Sequence, residues 1–79
     1  MRVVVTGSSG FLGSWIARVL AQHHETTALV RPSSDTYRLT GIDGLQIERH
    51  ASADWPAFIA TEKPEALVIA DWWLSLIHI

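Results

Sequence analysis

The stretch VVVTGSSGFLGSW, residues 3–15, joins features that few folds accommodate together. Val3-Val4-Val5 is short, β-branched and unbroken, the pattern of a strand buried on both faces. After Gly10 the period changes. Phe11, Leu12, Trp15, Ile16, Val19 and Leu20 recur at helical spacing, with Ser14, Arg18 and Gln22 between them. Gly7, Gly10 and Gly13 therefore occupy a strand-to-helix turn, where helix amides and the helix dipole can receive an anion. The alternative is a turn whose glycines serve geometry alone.

The rest of the chain continues the alternation. The first strand covers about Arg2–Thr6 and the first helix about Gly10–His23. A second apolar strand, Thr27–Val30, ends at Arg31. Pro32-Ser33-Ser34-Asp35 is a turn, with Ser34 or Asp35 placed to cap a short segment through Leu39. Gly41 and Gly44 bracket another turn before a weakly alternating third strand, Leu45–Arg49. Asp54 is placed to cap a helix that holds Pro56 in its first turn and carries Trp55, Phe58 and Ile59 inward, ending at Lys63-Pro64. Ala66–Ala70 reads as a fourth buried strand. This order predicts an α/β fold: a Rossmann-type parallel sheet with flanking helices, partial, of about four strands in the order 3-2-1-4. The glycine turn falls at the carboxyl edge of that sheet, where such folds bind ligands.

Composition narrows the possibilities. At 48% hydrophobic and 18% charged, the 79 residues are globular, though fewer than most nucleotide-binding domains need. A net charge of −2 gives no electrostatic case for nucleic acid or an anionic membrane as partner. With no cysteine there is neither a disulfide nor a thiolate metal site, and His23-His24, His50 and His78 form no metal-ligand pattern. No metal is expected. The chain opens directly on a strand without a signal-peptide pattern, so the cytoplasm is the expected location. The apolar residues 66–79 are too few for a membrane span and are interrupted by Asp71.

Each glycine has a physical role under the anion-binding reading. Gly7 permits a sharp exit from the strand. Gly10 removes the side chain where a diphosphate would approach the amides, and Gly13 lets the helix pack closely on the sheet. No Lys-Ser or Lys-Thr pair follows, so the loop is not of the Walker type.

Thr6-Gly7-Ser8-Ser9-Gly10-Phe11-Leu12-Gly13 resembles the TGxxGFxG signature of the extended short-chain dehydrogenase/reductases, the NAD-dependent epimerase/dehydratase family. The resemblance extends through the fourth strand and covers only the N-terminal portion of that family's fold. It implies that Gly7, Ser9, Gly10, Phe11 and Leu12 line the diphosphate and ribose of a dinucleotide cofactor, with Gly13 completing the loop. It also implies a parent enzyme acting by hydride transfer on a nucleotide-linked sugar or related carbonyl or hydroxyl compound, and leaves room for a homodimer. The other reading is a noncatalytic dinucleotide-binding regulator or sensor on the same fold.

The end of the second strand bears on the cofactor. An acidic residue there binds the adenosine ribose hydroxyls, whereas an arginine accommodates a 2′-phosphate. This strand ends Leu29-Val30-Arg31, with no acid before Asp35. Arg31 offers a planar fork to a phosphate, and Ser33 or Ser34 can add hydroxyl donors. NADP is therefore the expected cofactor, with NAD as the alternative and a solvated surface arginine as the competing account of Arg31.

Two departures from the family pattern stand out. Ala51 falls near the position where the family carries an adenine-contacting aspartate, and Trp72-Trp73 replace the small residues usual after the fourth strand. These tryptophans fit either a ring-stacking pocket or a core or interface role. The family's catalytic tyrosine and lysine, four residues apart on a helix, have no counterpart: the one tyrosine is Tyr37 and the one lysine is Lys63. No catalytic residue is assigned, and the 79 residues alone are expected to be inactive. Leu74-Ser75-Leu76-Ile77-His78-Ile79 is what CTG TCT CTT ATA CAC ATC encodes, a string resembling the mosaic end of a transposon-based sequencing adapter. The expected organisation is an N-terminal part of an NAD(P)-binding domain over residues 1–73, followed by a foreign tail over 74–79. An ordinary apolar strand ending is the alternative for that tail.

Overall fold

In the computed structural model, which describes residues 1–7 and 10–70, the strand β1 (Arg2–Thr6) is hydrogen-bonded along both edges. The expectations for Trp72, Trp73 and residues 74–79 lie outside the described residues. β1 pairs in parallel with β2 (Glu25–Val30), from Arg2 opposite Glu25 to Thr6 opposite Leu29. On its other edge it pairs in parallel with β4 (Ala66–Ile69), from Val3 opposite Ala66 to Thr6 opposite Ile69. β2 in turn pairs with β3 (Leu45–Arg49), from Thr26 opposite Leu45 to Val30 opposite Arg49. The sheet order is β3-β2-β1-β4, the expected one. β2 starts at Glu25, two residues before the expected Thr27, because Glu25 already donates its N–H to the Met1 carbonyl.

Strand alternation divides the side chains between two faces. Val3, Val5, Ala28 and Val30 point to the face covered by α1 (Phe11–Ala21), together with Ala66 and Val68. Val4, Thr6 and Leu29 point the other way and are also buried. Both faces of β1 are thus closed, as its β-branched run requires. β4 departs from expectation: Leu67 and Ile69 are 41% and 40% exposed, so only its α1-facing side is packed. An unbroken apolar run reports tolerance of burial on both faces and does not say which face a neighbour covers.

The helix α1 also differs from the sequence reading in its inward face. Its buried residues are Gly13 and Ala17, flanked by half-buried Ile16 and Leu20. Phe11 and Trp15 are 81% and 60% exposed, and Val19 is exposed as well. The two small residues let the helix axis approach the sheet, and the large side chains of the same helix are turned aside. Three residues of 3-10 helix, Tyr37–Leu39, stand between β2 and β3; there Leu39 joins Ala17, Ala28 and Val30 in the core. α2 (Trp55–Glu62) crosses from β3 to β4, with Pro56 in its first turn and Lys63 ending it at φ 49°. Trp55, Phe58 and Ile59 are half-buried along it, and the Trp55 indole N–H donates to the His50 carbonyl at 2.8 Å. Asp54 occupies the capping position without a side-chain capping bond, behind a 3-10 turn over Ser52–Asp54.

Gly41 and Gly44 both hold left-handed backbone, at φ 80° and 81°. They differ in surroundings. A Cβ at Gly41 meets nothing within 4 Å, while one at Gly44 lies 3.2 Å from the Ala21 carbonyl oxygen at the end of α1. Gly41→Ala is expected to lower stability by about 1 kcal/mol, the cost of left-handed backbone alone. Gly44→Ala is expected to cost more, because the end of α1 must also give way. Urea unfolding of the two variants checks the order; equal losses contradict it.

Candidate functional site: the glycine turn at the carboxyl edge

The chain leaves β1 through Gly7, which lies at φ 72°, a backbone that L-residues with a Cβ rarely adopt. This left-handed step redirects the strand toward α1. The Gly10 N–H reaches back to the Gly7 carbonyl at 3.4 Å, and Gly10 then caps α1 with extended backbone at φ −78° and ψ 173°. Any residue can adopt that conformation. Gly10 is exposed, and among the described residues a Cβ built on it comes no nearer than 3.7 Å, to the Gly7 oxygen. Neither its backbone nor packing against the described residues requires glycine here. The missing side chain leaves an open cradle beside Gly10, approached no closer than 3.7 Å by the described residues, that a side chain would enter.

The first intrahelical bond of α1 runs from the Ser14 N–H to the Gly10 carbonyl at 2.9 Å. The N–H groups of Phe11, Leu12 and Gly13 precede it and point out of the helix start, beside the cradle. Gly10 supplies no side-chain cap, and the first turn holds no acid. The positive end of the helix dipole is therefore left for an external anion. Ser14 turns its hydroxyl to the Phe11 carbonyl at 2.9 Å, so it is not a cap for those amides.

The structure brings most of the expected site residues to one edge. Gly7 follows β1, and Gly10, Phe11, Leu12 and Gly13 open α1: Phe11 is exposed, Leu12 half-buried and Gly13 buried toward the sheet. Ser9 lies outside the described residues. Arg31 follows β2, the strand next to β1, and Thr6 stands opposite Leu29 in the register. Adjacent strands lie about 4.8 Å apart, so Arg31 leaves the sheet beside the glycine turn. It is exposed, and its guanidinium has no hydrogen-bond or ion-pair partner among the described residues.

The turn after Arg31 is built by backbone and side chains together. The Ser34 N–H donates to the Arg31 carbonyl at 3.0 Å, closing a four-residue turn with Pro32 at its second position, where proline's fixed φ is favoured. Asp35, the first acid after β2, accepts the Tyr37 N–H on Oδ1 at 3.1 Å. One of its carboxylate oxygens is thereby held at the start of the 3-10 turn. Arg49, at the end of β3, then ties the segment down. Its Nη1 donates to the Pro32 and Ser34 carbonyls at 3.2 and 2.9 Å, and its Nη2 to the Thr36 hydroxyl at 2.9 Å. The sequence reading assigned no role to Arg49. The signal lay in the alternation Leu45, Ile47, Arg49 and became informative only once Arg49 was paired with Val30, immediately before the turn.

An open groove runs between α1 and the 37–39 turn, lined by Phe11, Trp15, Arg18, Tyr37 and Arg38, with the Arg38 guanidinium 4.7 Å from the Tyr37 ring centroid. Beyond β3, His50 lies 4.8 Å from the Phe58 ring and hydrogen-bonds Glu48 at 3.1 Å. Among the described residues no group of three or more His, Asp or Glu is placed to hold a metal ion, and no helix is long and apolar enough to cross a membrane.

Comparison with known proteins places this geometry. Among solved structures, the Bordetella bronchiseptica enzyme WbmG in complex with NAD matches with a TM-score of 0.66 at 27% identity. The match covers 89% of this chain and 24% of WbmG, so the chain spans about a quarter of that enzyme's length. No curated protein matches. The model of the NAD dependent epimerase/dehydratase family matches residues 3–73, nearly the whole chain. With its parallel 3-2-1-4 sheet and a glycine turn between β1 and α1, the chain belongs to the NAD-dependent epimerase/dehydratase family.

Proposed function

We propose that residues 1–73 form the N-terminal part of the cofactor-binding domain of a longer NAD(P)-dependent epimerase, dehydratase or reductase. The observation that carries this reading is Gly10. It is a glycine that neither φ nor its neighbours among the described residues require, standing beside the uncapped start of α1. The amides of Phe11, Leu12 and Gly13 would hold a diphosphate there, and the dipole of α1 would offset its charge. Gly7 sets the turn that aims those amides, and Gly13 keeps α1 close to the sheet. Ser9 belongs to the same loop. When bound, the nicotinamide cofactor supplies the hydride acceptor or donor; this chain binds and orients it.

The substrate is a nucleotide-linked sugar or a related carbonyl or hydroxyl compound, in keeping with the family. Its pocket, and the tyrosine and lysine that move its proton, belong to the rest of the longer protein. The 79 residues alone are inactive. Residues 74–79 are foreign to the natural chain, a reading supported by the family match ending at residue 73.

The preferred cofactor is NADP(H). The Arg31 guanidinium has no partner among the described residues at the end of β2, and the first acid after it, Asp35, lies four residues further on with one carboxylate oxygen held by the Tyr37 amide, away from the strand-end position where an acid binds the ribose hydroxyls. Four of the six basic residues, Arg18, Arg31, Arg38 and Arg49, lie along α1, the turn after β2 and the end of β3, a local excess of positive charge suited to an added phosphate.

Titration calorimetry on the full-length protein tests both points. Gly10→Val is expected to remain folded, with a change of about 1 kcal/mol or less in stability, and to lose binding of NADPH and NADH together. Unchanged affinity in the folded variant contradicts the diphosphate site. Arg31→Ala is expected to weaken NADPH by about 1–3 kcal/mol, the range for a charge-assisted hydrogen bond, and to leave NADH nearly unchanged. Equal losses for both cofactors, or a wild-type preference for NADH, contradict the 2′-phosphate role.

A further inference from the structure

We propose that Arg49 is a specificity-determining positioning residue. By pinning the turn after β2, it places Arg31 for the cofactor's 2′-phosphate. The inference rests on the cofactor reading above and extends it to a residue outside the glycine loop and outside the end of β2.

The argument begins with register. Arg49 stands opposite Val30 in the parallel ladder, so the last residue of β3 lies beside the point where the chain leaves β2. The ladder continues one step further, with the His50 N–H on the Val30 carbonyl at 2.9 Å, which holds this end of β3 firmly against β2. From there the guanidinium gathers three acceptors of the next segment: the Pro32 and Ser34 carbonyls and the Thr36 hydroxyl. Those acceptors span residues 32–36 and belong to a turn that begins at Arg31.

A surface turn of this kind has little else to hold it. Arg31, Pro32, Ser33 and Asp35 are exposed, and the turn's own backbone bond is the single one from Ser34 to Arg31. A free turn would leave Arg31 to sample many orientations, and ordering it on binding would cost affinity. Arg49 removes that freedom in advance. Only arginine suits the task, because its planar fork presents several donors in fixed directions and can serve three acceptors together. A lysine ammonium keeps the charge but not the fork.

Arg49 gives three of its four Nη N–H groups to the protein itself, and the role assigned to it is to act through Arg31 and not on the phosphate directly. That distinction is measurable. The test uses the full-length protein and four probes: NADPH, NADH, 2′,5′-ADP and 5′-AMP. The last two carry the adenosine end alone, with and without the 2′-phosphate. Arg49→Gln is expected to weaken NADPH and 2′,5′-ADP about tenfold, the scale of one charge-assisted hydrogen bond, with NADH and 5′-AMP within about twofold of wild type. Arg49→Lys is expected to show most of the same loss. In Arg31→Ala, adding Arg49→Gln is expected to cost nothing further, since a positioning residue has no effect once the group it positions is gone.

Several results overturn the proposal. Arg49→Lys restoring full 2′-phosphate affinity would mean that net charge acts and the pin does not. Equal weakening of phosphorylated and unphosphorylated probes would mean a structural role only. Losses that add in the double variant would mean direct, independent contact. The two levels of the argument fail separately. A wild-type protein without preference for 2′,5′-ADP over 5′-AMP overturns the NADP reading and this inference with it. A preference that Arg31→Ala abolishes and Arg49→Gln leaves intact overturns this inference alone.

Discussion

The parallel ladders on either side of β1 are the constraint on which the rest of the structure depends. Because β1 is paired with both β2 and β4 and buried on both faces, its carboxyl end can exit only outward, along the sheet's edge. Gly7 makes that exit with left-handed backbone and sets where α1 begins. The same register places the end of β2 next to the exit and the end of β3 next to β2. Glycine turn, Arg31 and Arg49 are therefore neighbours by virtue of hydrogen bonds made several residues earlier in each strand. The site is a property of the sheet before it is a property of any loop.

Much of this was legible in the residues themselves. A β-branched run marked β1, an apolar run marked β2, and the glycine spacing marked the turn. Their order in the chain led to the 3-2-1-4 sheet. What escaped had definite physical causes. α1 carries two apolar stripes, and hydropathy favours the one with the larger side chains. Close packing on a sheet favours the one with the smaller: Gly13, expected against the sheet, is joined inside by Ala17, while Phe11 and Trp15 are not inside. β4 was read as buried because its residues are apolar, yet exposure depends on what lies over each face. Arg49 escaped because its partners lie 13 to 17 residues earlier in the chain, and only strand register brings them together.

Net charge is a poor guide to this surface. The chain as a whole is slightly acidic, at −2, which argues against strong attraction to extended polyanions. The basic residues are nonetheless sorted. Arg2 and Lys63 sit toward the amino edge of the sheet, where Arg2 lies 3.4 Å from Glu62, while the arginines near the glycine turn make no ion pair with an acid among the described residues. Screening over about 8–10 Å at physiological ionic strength makes that local sorting, and not the total, what a small anion meets on arrival.

The open start of α1 has a thermodynamic consequence. A helix that leaves its first amides without a side-chain cap begins with part of its hydrogen bonding undone, and a capping side chain contributes about 1 kcal/mol where one is present. An anion seated there completes the helix from outside the chain. Whatever binds the folded turn and not the unfolded chain shifts the unfolding equilibrium by mass action, by about 2.7 kcal/mol at a hundred times its dissociation constant. The ligand then becomes a component of the fold. With the cofactor bound as proposed, its concentration joins the side chains in setting how much of the protein stays folded.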